Sequence, residues 1–336
     1  MTPRGTVGGV RPDRATLAGA GSTFFAPLVV EWARLYRVDT PGVTVDYAPV
    51  GSDSGIARLV DGDVDFAVSE VPLNPAELRA AGGEDDVIQL PVAGGPVVLA
   101  YNLKGVEGLR LSAEALAGIF DGRITRWDDP VLRAANPGVA LPSTAVTPVH
   151  RADPSGTTVV FTEYLRQAVD RWPLGVARRV GFPRGLAVTG ADGVARAVQR
   201  TSGAVGYTSA VAAARVAVAS AAVQNRAGRF VVPTVATAGA ALDGATGADA
   251  GLAVFVPPDL DGPAVYPIVA FTHLVFRLAP EQATGEPAAL RHFAAWILSE
   301  GQRSAEAVGY LPVPYSIQLR SYEALQAGST RPIQRD

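Results

Sequence analysis

Short apolar runs with strand-like alternation are followed again and again by runs with helical spacing, and the joints between them are built from Gly, Ser and Thr. Val43, Val45 and Tyr47 alternate, as do Val64, Phe66 and Val68. Leu28, Val29, Trp32, Leu35 and Tyr36 fall on one face of a helix over 26–36, and Val159, Val160, Phe161, Tyr164 and Leu165 do the same after the apolar run Ala145–Val149. Strand–helix alternation of this kind leaves few solutions besides a mostly parallel sheet with helical crossovers. Ligands of such sheets sit beyond the carboxyl ends of the strands, so the joints are the places to look for function. The small-polar joints are Gly19–Thr23, Gly51–Gly55, Ser69–Pro72 and His150–Thr158.

The last of these carries the most chemistry. A strand, a tight loop and a helix start place Ser155, Gly156 and Thr157 in a first turn, where backbone N–H groups lack helical partners. Arg151 adds a fixed fork of donors suited to an oxyanion. Asp153 is close enough to orient Arg151 rather than touch a ligand. Taken alone, the segment equally suits a capped helix with a surface ion pair. Several such joints aimed at one place would form a donor-rich cage for a small anion.

With 336 residues, 48% hydrophobic and 18% charged, the chain can bury a sizeable core, and two domains are expected. A net charge of -3 gives no electrostatic case for nucleic acid. The absence of cysteine removes thiol catalysis, disulfides and Cys-based metal sites, and the three histidines, His150, His273 and His292, are too dispersed to form a ligand motif. No metal and no cofactor are expected. Residues 1–16 are polar and lack the apolar core of an export signal. The protein is therefore exported, to a periplasm or cell surface, if a leader has been removed, and cytoplasmic if Met1 is the native start.

Further along, Asn74-Pro75-Ala76-Glu77 is a capped helix start. Ser112 caps a helix through Ile119, and Trp127 is a packing anchor. Val97–Tyr101 is a strand that carries the chain into a second domain, and the apolar run from Tyr266 to Phe276 brings it back. Residues 166–188 are weakly patterned, Val211–Ala222 is helix or strand, and Tyr207 is placed near the hinge. Helices are expected from Pro287 to Ser299 and between Tyr315 and Leu325. The hydroxyls of Ser52 and Ser155 have no base evident beside them.

From about Leu17 to about Leu325 the chain resembles the phosphate-binding protein of bacterial phosphate ABC importers, a periplasmic-type solute-binding protein. The resemblance rests on Gly19-Ala20-Gly21-Ser22-Thr23-Phe24, Gly51-Ser52, Val64-Asp65-Phe66-Ala67-Val68-Ser69 and Arg151-Ala152-Asp153-Pro154-Ser155-Gly156-Thr157, in that order. Supporting matches are Ile124–Asp129, Gly203–Tyr207, Gln224–Phe230 and Tyr266-Pro267-Ile268. It implies an α/β, two-lobed periplasmic binding protein-like fold of type II, with mixed, mostly parallel sheets and a ligand cleft between the lobes. Lobe one is expected from 17–98 and 268–328, lobe two from 99–267, with tails at 1–16 and 329–336. The implied ligand contacts are Thr23, Phe24, Ser52, Glu70, Arg151, Ser155, Gly156 and Thr157, with Asp153 behind Arg151. The implied function is binding of inorganic phosphate, by hinge closure, for delivery to the membrane permease of an ABC importer. The receptor is expected to act as a monomer, without a cofactor and without catalysis.

The chain departs from the family pattern at Glu70, where an aspartate is usual. That carboxylate is an acceptor and must face a proton on the ligand. Protonated phosphate supplies one and sulfate cannot, so a buried carboxylate rejects sulfate. Glu70 keeps the acceptor on an arm one methylene longer. Two alternatives follow: an enzyme on the same scaffold, using Glu70 as general acid or base on an organic substrate with help from His150, and a binding or sensory domain for a different small oxyanion.

Overall fold

The computed structural model describes residues 14–83, 85–245, 252, 256–257, 260, 262–278 and 284–327. Two compact units emerge. Among the described residues, the first holds 14–94, Leu252 and 271–327, and the second 95–245 with those of 256–270. Two of the passages between lobes fall within strands, at Gly94–Gly95 and at Ala270–Phe271.

Lobe one begins with β1 (Ala15–Gly21), α1 (Ala26–Asp39), β2 (Val43–Ala48), α2 (Ser52–Asp61), β3 (Phe66–Ser69) and α3 (Pro75–Ala81), and then enters β4 (Val87–Tyr101). β1 pairs in parallel with β2 on one side and β3 on the other, so all three carboxyl ends share one edge. The returning strand Val269–Arg277 closes β3 in antiparallel register, His273 opposite Ser69. Every residue of β3 is buried. It lies inside the sheet, and Ala67 packs with Ile56 and Leu59 of α2, Val87 and Val275. The Asn74 carboxamide caps α3 by accepting from the Ala76 and Glu77 N–H groups, while Glu77 accepts from the Asn74 N–H.

The second lobe takes the rest of β4, then β5 (Arg110–Leu111), α4 (Ala113–Phe120), α5 (Pro130–Ala135), β6 (Thr147–Arg151), α6 (Gly156–Ala168), β7 (Leu186–Val188), α7 (Gly190–Arg200) and β8 (Ala204–Ser209). α8 (Ala210–Arg215), β9 (Ala219–Ser220), β10 (Ala222–Gln224), β11 (Phe230–Val231) and α9 (Val235–Gly244) follow, before β12 (Val269–Arg277) leads back. The strand order is β4-β8-β6-β7, with β6 parallel to both neighbours and β8 antiparallel to β4. Val98, Val149, Val194, Val198 and Ala204 form the core beneath. Trp127 is fully buried and donates to the Gly203 carbonyl at 3.0 Å, the anchor its sequence context implies.

Lobe one ends with α10 (Glu286–Trp296), α11 (Gln302–Val308) and α12 (Tyr315–Ala327). Both lobes therefore carry mixed, mostly parallel sheets, as the resemblance implies. Among the described residues no helix is long and apolar enough to cross a membrane.

Several expectations need correction. Residues 15 and 16, placed in a tail, are the first two of β1, paired to Val43 and Thr44; residues 1–13 and 328–336 lie outside the described residues. Gly19–Gly21 is strand rather than loop, because small residues let β3 close on it. A Cβ on Gly21, at φ +138°, would sit 2.2 Å from the Val68 carbonyl oxygen. The strand expected at Val97–Tyr101 starts at Val87 and runs unbroken through Gly94-Gly95-Pro96. Gly94 exchanges both backbone bonds with Leu311, at 2.8 Å each, which keeps this turn-prone triplet extended. The helix expected to stop at Ser299 widens into a π turn over Ile297–Gly301 and resumes as α11. The Gly301 carbonyl there accepts the Trp32 indole N–H at 2.9 Å. The run 211–222 is broken between helix and strand by Ala217 at φ +54°. Tyr207 lies in β8, in register with Leu99 of the crossing strand β4, and its hydroxyl meets the end of β6.

Candidate functional site

In lobe one the parallel register brings the joints after β1, β2 and β3 to the same edge. Gly51 donates to the Gly21 carbonyl and Ser22 to the Val68 carbonyl, at 2.8 Å each, locking the joints side by side. α2 presses so close that a Cβ on Gly55 would lie 2.4 Å from the Gly21 Cα. At this seam Ser22, Ser52 and Glu70 are 0%, 1% and 2% exposed. The Ser22 hydroxyl donates to Glu70 Oε1 at 2.7 Å, and the Ser52 hydroxyl donates to Glu70 Oε2. Ser52 does therefore have a carboxylate beside it, contrary to the sequence expectation; the longer glutamate arm reaches it. Thr23 is half-buried on the same joint. The Phe24 side chain is fully buried against Phe25 and near Tyr310, so what residue 24 can offer a ligand is its backbone. The Tyr47 hydroxyl donates to the Ser22 carbonyl at 2.9 Å. Burial raises its pKa well above the ordinary value, and the Glu70 charge and Tyr310 add to the rise, so Tyr47 stays a neutral phenol.

In lobe two, β6 ends on Arg151 between β7 and β8. Arg151 and Asp153 form a bidentate pair, Nε to Oδ1 at 2.7 Å and Nη2 to Oδ2, with side chains 2% and 13% exposed. Asp153 Oδ1 also accepts from the Gly190 N–H at 3.0 Å. Burial pushes the Asp153 carboxyl up, but the bonds and charge of Arg151 with the Gly190 N–H outweigh it and hold the group below the ordinary range. Asp153 thus contacts Arg151 directly, the geometry an orienting role requires. Ser155 is the N-cap of α6 rather than part of its first turn, and its hydroxyl accepts from the Thr157 N–H at 3.1 Å. Gly156 opens the helix, and Ser155 and Thr157 are each 1% exposed.

Sequence reasoning missed what holds this end in place. The Tyr207 hydroxyl accepts from the Arg151 N–H at 3.2 Å and bonds the Thr158 hydroxyl at 2.9 Å, tying the end of β6 to the first turn of α6. Burial raises the Tyr207 pKa, against the pull of Thr158 and the Arg151 backbone. Ser22 was missed as a side chain although it lies in the named first joint. No local pattern marks either residue: Tyr207 is 56 positions from Arg151 and Ser22 is 48 from Glu70. His150 packs its ring 4.7 Å from that of Phe182, and burial lowers its pKa against the pull of the Arg151 carbonyl, favouring neutral imidazole. Among the described residues no cluster of His, Asp and Glu is suited to a metal ion.

Comparison with known proteins places this arrangement. The model of the PBP superfamily domain matches residues 6–301. The phosphate-binding protein PstS of Xylella fastidiosa (strain 9a5c) is 35% identical over 92% of the chain and 85% of its own length. That of Pasteurella multocida (strain Pm70) is 32% identical over 90% of the chain and 87% of its own length. Among solved structures, the high-affinity periplasmic phosphate-binding protein PfluDING, bound with phosphate, superposes with a TM-score of 0.72 over 96% of the chain and 100% of its own, at 24% identity. The chain belongs to the PBP superfamily and, within it, to the family of PstS phosphate-binding proteins.

Proposed function

We propose that this protein binds inorganic phosphate and delivers it to the membrane permease of an ABC importer. The observation that carries the reading is the buried Glu70 carboxylate set among hydroxyl donors at a strand-end seam. A buried acceptor tolerates an anion only if that anion brings a proton of its own. Phosphate does and sulfate does not. Arg151 supplies the countercharge, fixed in direction by Asp153, and the start of α6 at Ser155, Gly156 and Thr157 supplies further donors. Thr23, the Phe24 backbone and Ser52 supply those of lobe one. The protein works outside the cytoplasm, as a monomer in contact with its permease, and needs no cofactor.

It is a binding protein rather than an enzyme. An enzyme reading would use the Ser52–Glu70 contact, but Ser22 shares the carboxylate, and a carboxylate alone is a poor base for an alcohol.

Isothermal titration of phosphate-depleted protein with phosphate and then sulfate, near neutral pH, is the test. One-to-one phosphate binding with no response to sulfate is expected, and Arg151→Met should abolish it. Undiminished phosphate affinity in Arg151→Met, or equal binding of both anions by the wild type, would overturn the assignment.

A further inference from the structure

We propose that Ser22 is the positioning residue that lets a glutamate serve at position 70, and that Ser52 is its releasable counterpart. The proposal rests on the phosphate-binding reading above and concerns how that site sets its selectivity. The two serines hold the same carboxylate from opposite oxygens but are committed to different degrees.

Ser22 is fully buried, and each of its polar groups is in use. Its hydroxyl gives its proton to Glu70 Oε1 at 2.7 Å, and the same oxygen accepts the Phe25 N–H at 3.1 Å. Its N–H is bonded to the Val68 carbonyl at 2.8 Å, and its carbonyl accepts the Tyr47 hydroxyl at 2.9 Å. Rotating the Ser22 hydroxyl away would strand the Phe25 N–H at the start of α1. Ser52 heads α2 after Gly51, and α2 has no side-chain cap. A change in its χ1 costs the donation to Glu70 Oε2 and leaves no helix N–H stranded.

The consequence is an ordered exchange of hydrogen bonds. Ser22 keeps Oε1 fixed while the ligand arrives. Ser52 turns its O–H from Oε2 to a phosphate oxygen, and the vacated Oε2 accepts the proton that phosphate carries. No bond other than hydrogen bonds changes, and the number of donors equals the number of acceptors before and after. A sulfate would accept the Ser52 hydrogen bond and offer none in return, so the Ser52 donation to Oε2 would go unreplaced. The added methylene of Glu70 is what requires Ser22: a longer arm has one more torsion to fix, and the bond from the β1 joint fixes it.

The test is a double-mutant cycle on the full chain, read as phosphate affinity and as the phosphate-to-sulfate ratio. With Glu70 in place, Ser22→Ala should weaken phosphate binding by about ten-fold or more and shrink the ratio, the size expected for a lost charge-assisted bond. In the Glu70→Asp background the same change should cost less than about two-fold, because the shorter arm cannot span both serines. If Ser22 mattered only for folding, it would lower the melting temperature equally in both backgrounds and leave the ratio unchanged, and that result overturns the proposal. Ser22→Cys, near in size and a weak donor, should fall between the wild type and Ser22→Ala; a ratio equal to wild type in a folded Ser22→Cys also counts against it. If the wild type fails to bind phosphate, the phosphate reading itself is lost. If it binds selectively and Ser22→Ala matches it, only the role of Ser22 is lost.

Discussion

Arg151 is the countercharge of the proposed site, and the cost of burying it can be isolated by removing its partner. Asp153→Ala deletes both acceptors of a guanidinium whose side chain is 2% exposed. Breaking a buried ion pair from one side costs about 3–5 kcal/mol, because the remaining charge has neither water nor partner. Asp153 itself is 13% exposed, so some water reaches the gap and the low end, about 3 kcal/mol, is the relevant one. Asp153 also accepts the Gly190 N–H at 3.0 Å, and losing that bond adds about 1 kcal/mol. For a lobe of this size about 3–4 kcal/mol is a fall of roughly 6–16 °C in melting temperature. Arg151→Met combined with Asp153→Ala should regain most of that loss, since no charge is left stranded and the Met side chain fills the buried space. Only the Gly190 contribution stays lost.

The assay is thermal unfolding followed by circular dichroism in phosphate-free buffer, because any ligand would stabilise the native state by mass action. A double variant as unstable as Asp153→Ala would refute the reasoning: the energy would then lie in packing at the end of β6 and not in the charge. The comparison carries more weight than either single value. Packing losses add between the two variants, whereas a stranded charge makes the second substitution restorative.

Two further outcomes are expected. Tyr207→Phe keeps the ring, which stacks 4.6 Å from Phe161, but removes the oxygen shared by the Arg151 N–H and the Thr158 hydroxyl, and should cost about 1–3 kcal/mol in urea unfolding; a change within error would show that the hydroxyl does not brace Arg151. The Asp153 carboxyl is held below its ordinary range only in the folded chain, so its stabilising share is intact above about pH 4, near the unfolded value, and is lost as pH falls through the folded one. Acid titrations of wild type and the Arg151→Met/Asp153→Ala variant should therefore converge at low pH, and parallel curves would contradict the sign.

Much of the frame was legible because it depends on local periodicity. The alternation of Val43, Val45 and Tyr47, the capping box at Asn74 and the strand–loop–helix at 145–165 each appear where expected, since local patterning and global burial agree there. Failures came where a distant partner overrides a local signal. The strand expected only from Val97 extends back through Gly94-Gly95-Pro96, which Leu311 holds extended; the helix expected to stop at Ser299 runs on through a widened turn where the Gly301 carbonyl meets Trp32. Gly19–Gly21 has the composition of a loop but takes its place in a sheet because β3 packs where side chains would be.

The site divides along the same line. Arg151 and Asp153 are two residues apart on one strand end, and Ser155 through Thr157 follow a strand into a helix, so spacing alone places them. Glu70 was visible as a departure, yet its consequence was not, because it depends on what the extra methylene reaches. Ser22 and Ser52 approach it from two different strand ends, brought to one edge by the parallel register of β1, β2 and β3. A substitution of Asp by Glu in such a seam is not settled at the substituted position. The carboxylate is held by hydroxyls of two other joints, Ser22 and Ser52, so position 70 alone does not place it. On the proposal above, selectivity depends on position 70 together with position 22, so variants that differ only at 22 should differ in their response to sulfate.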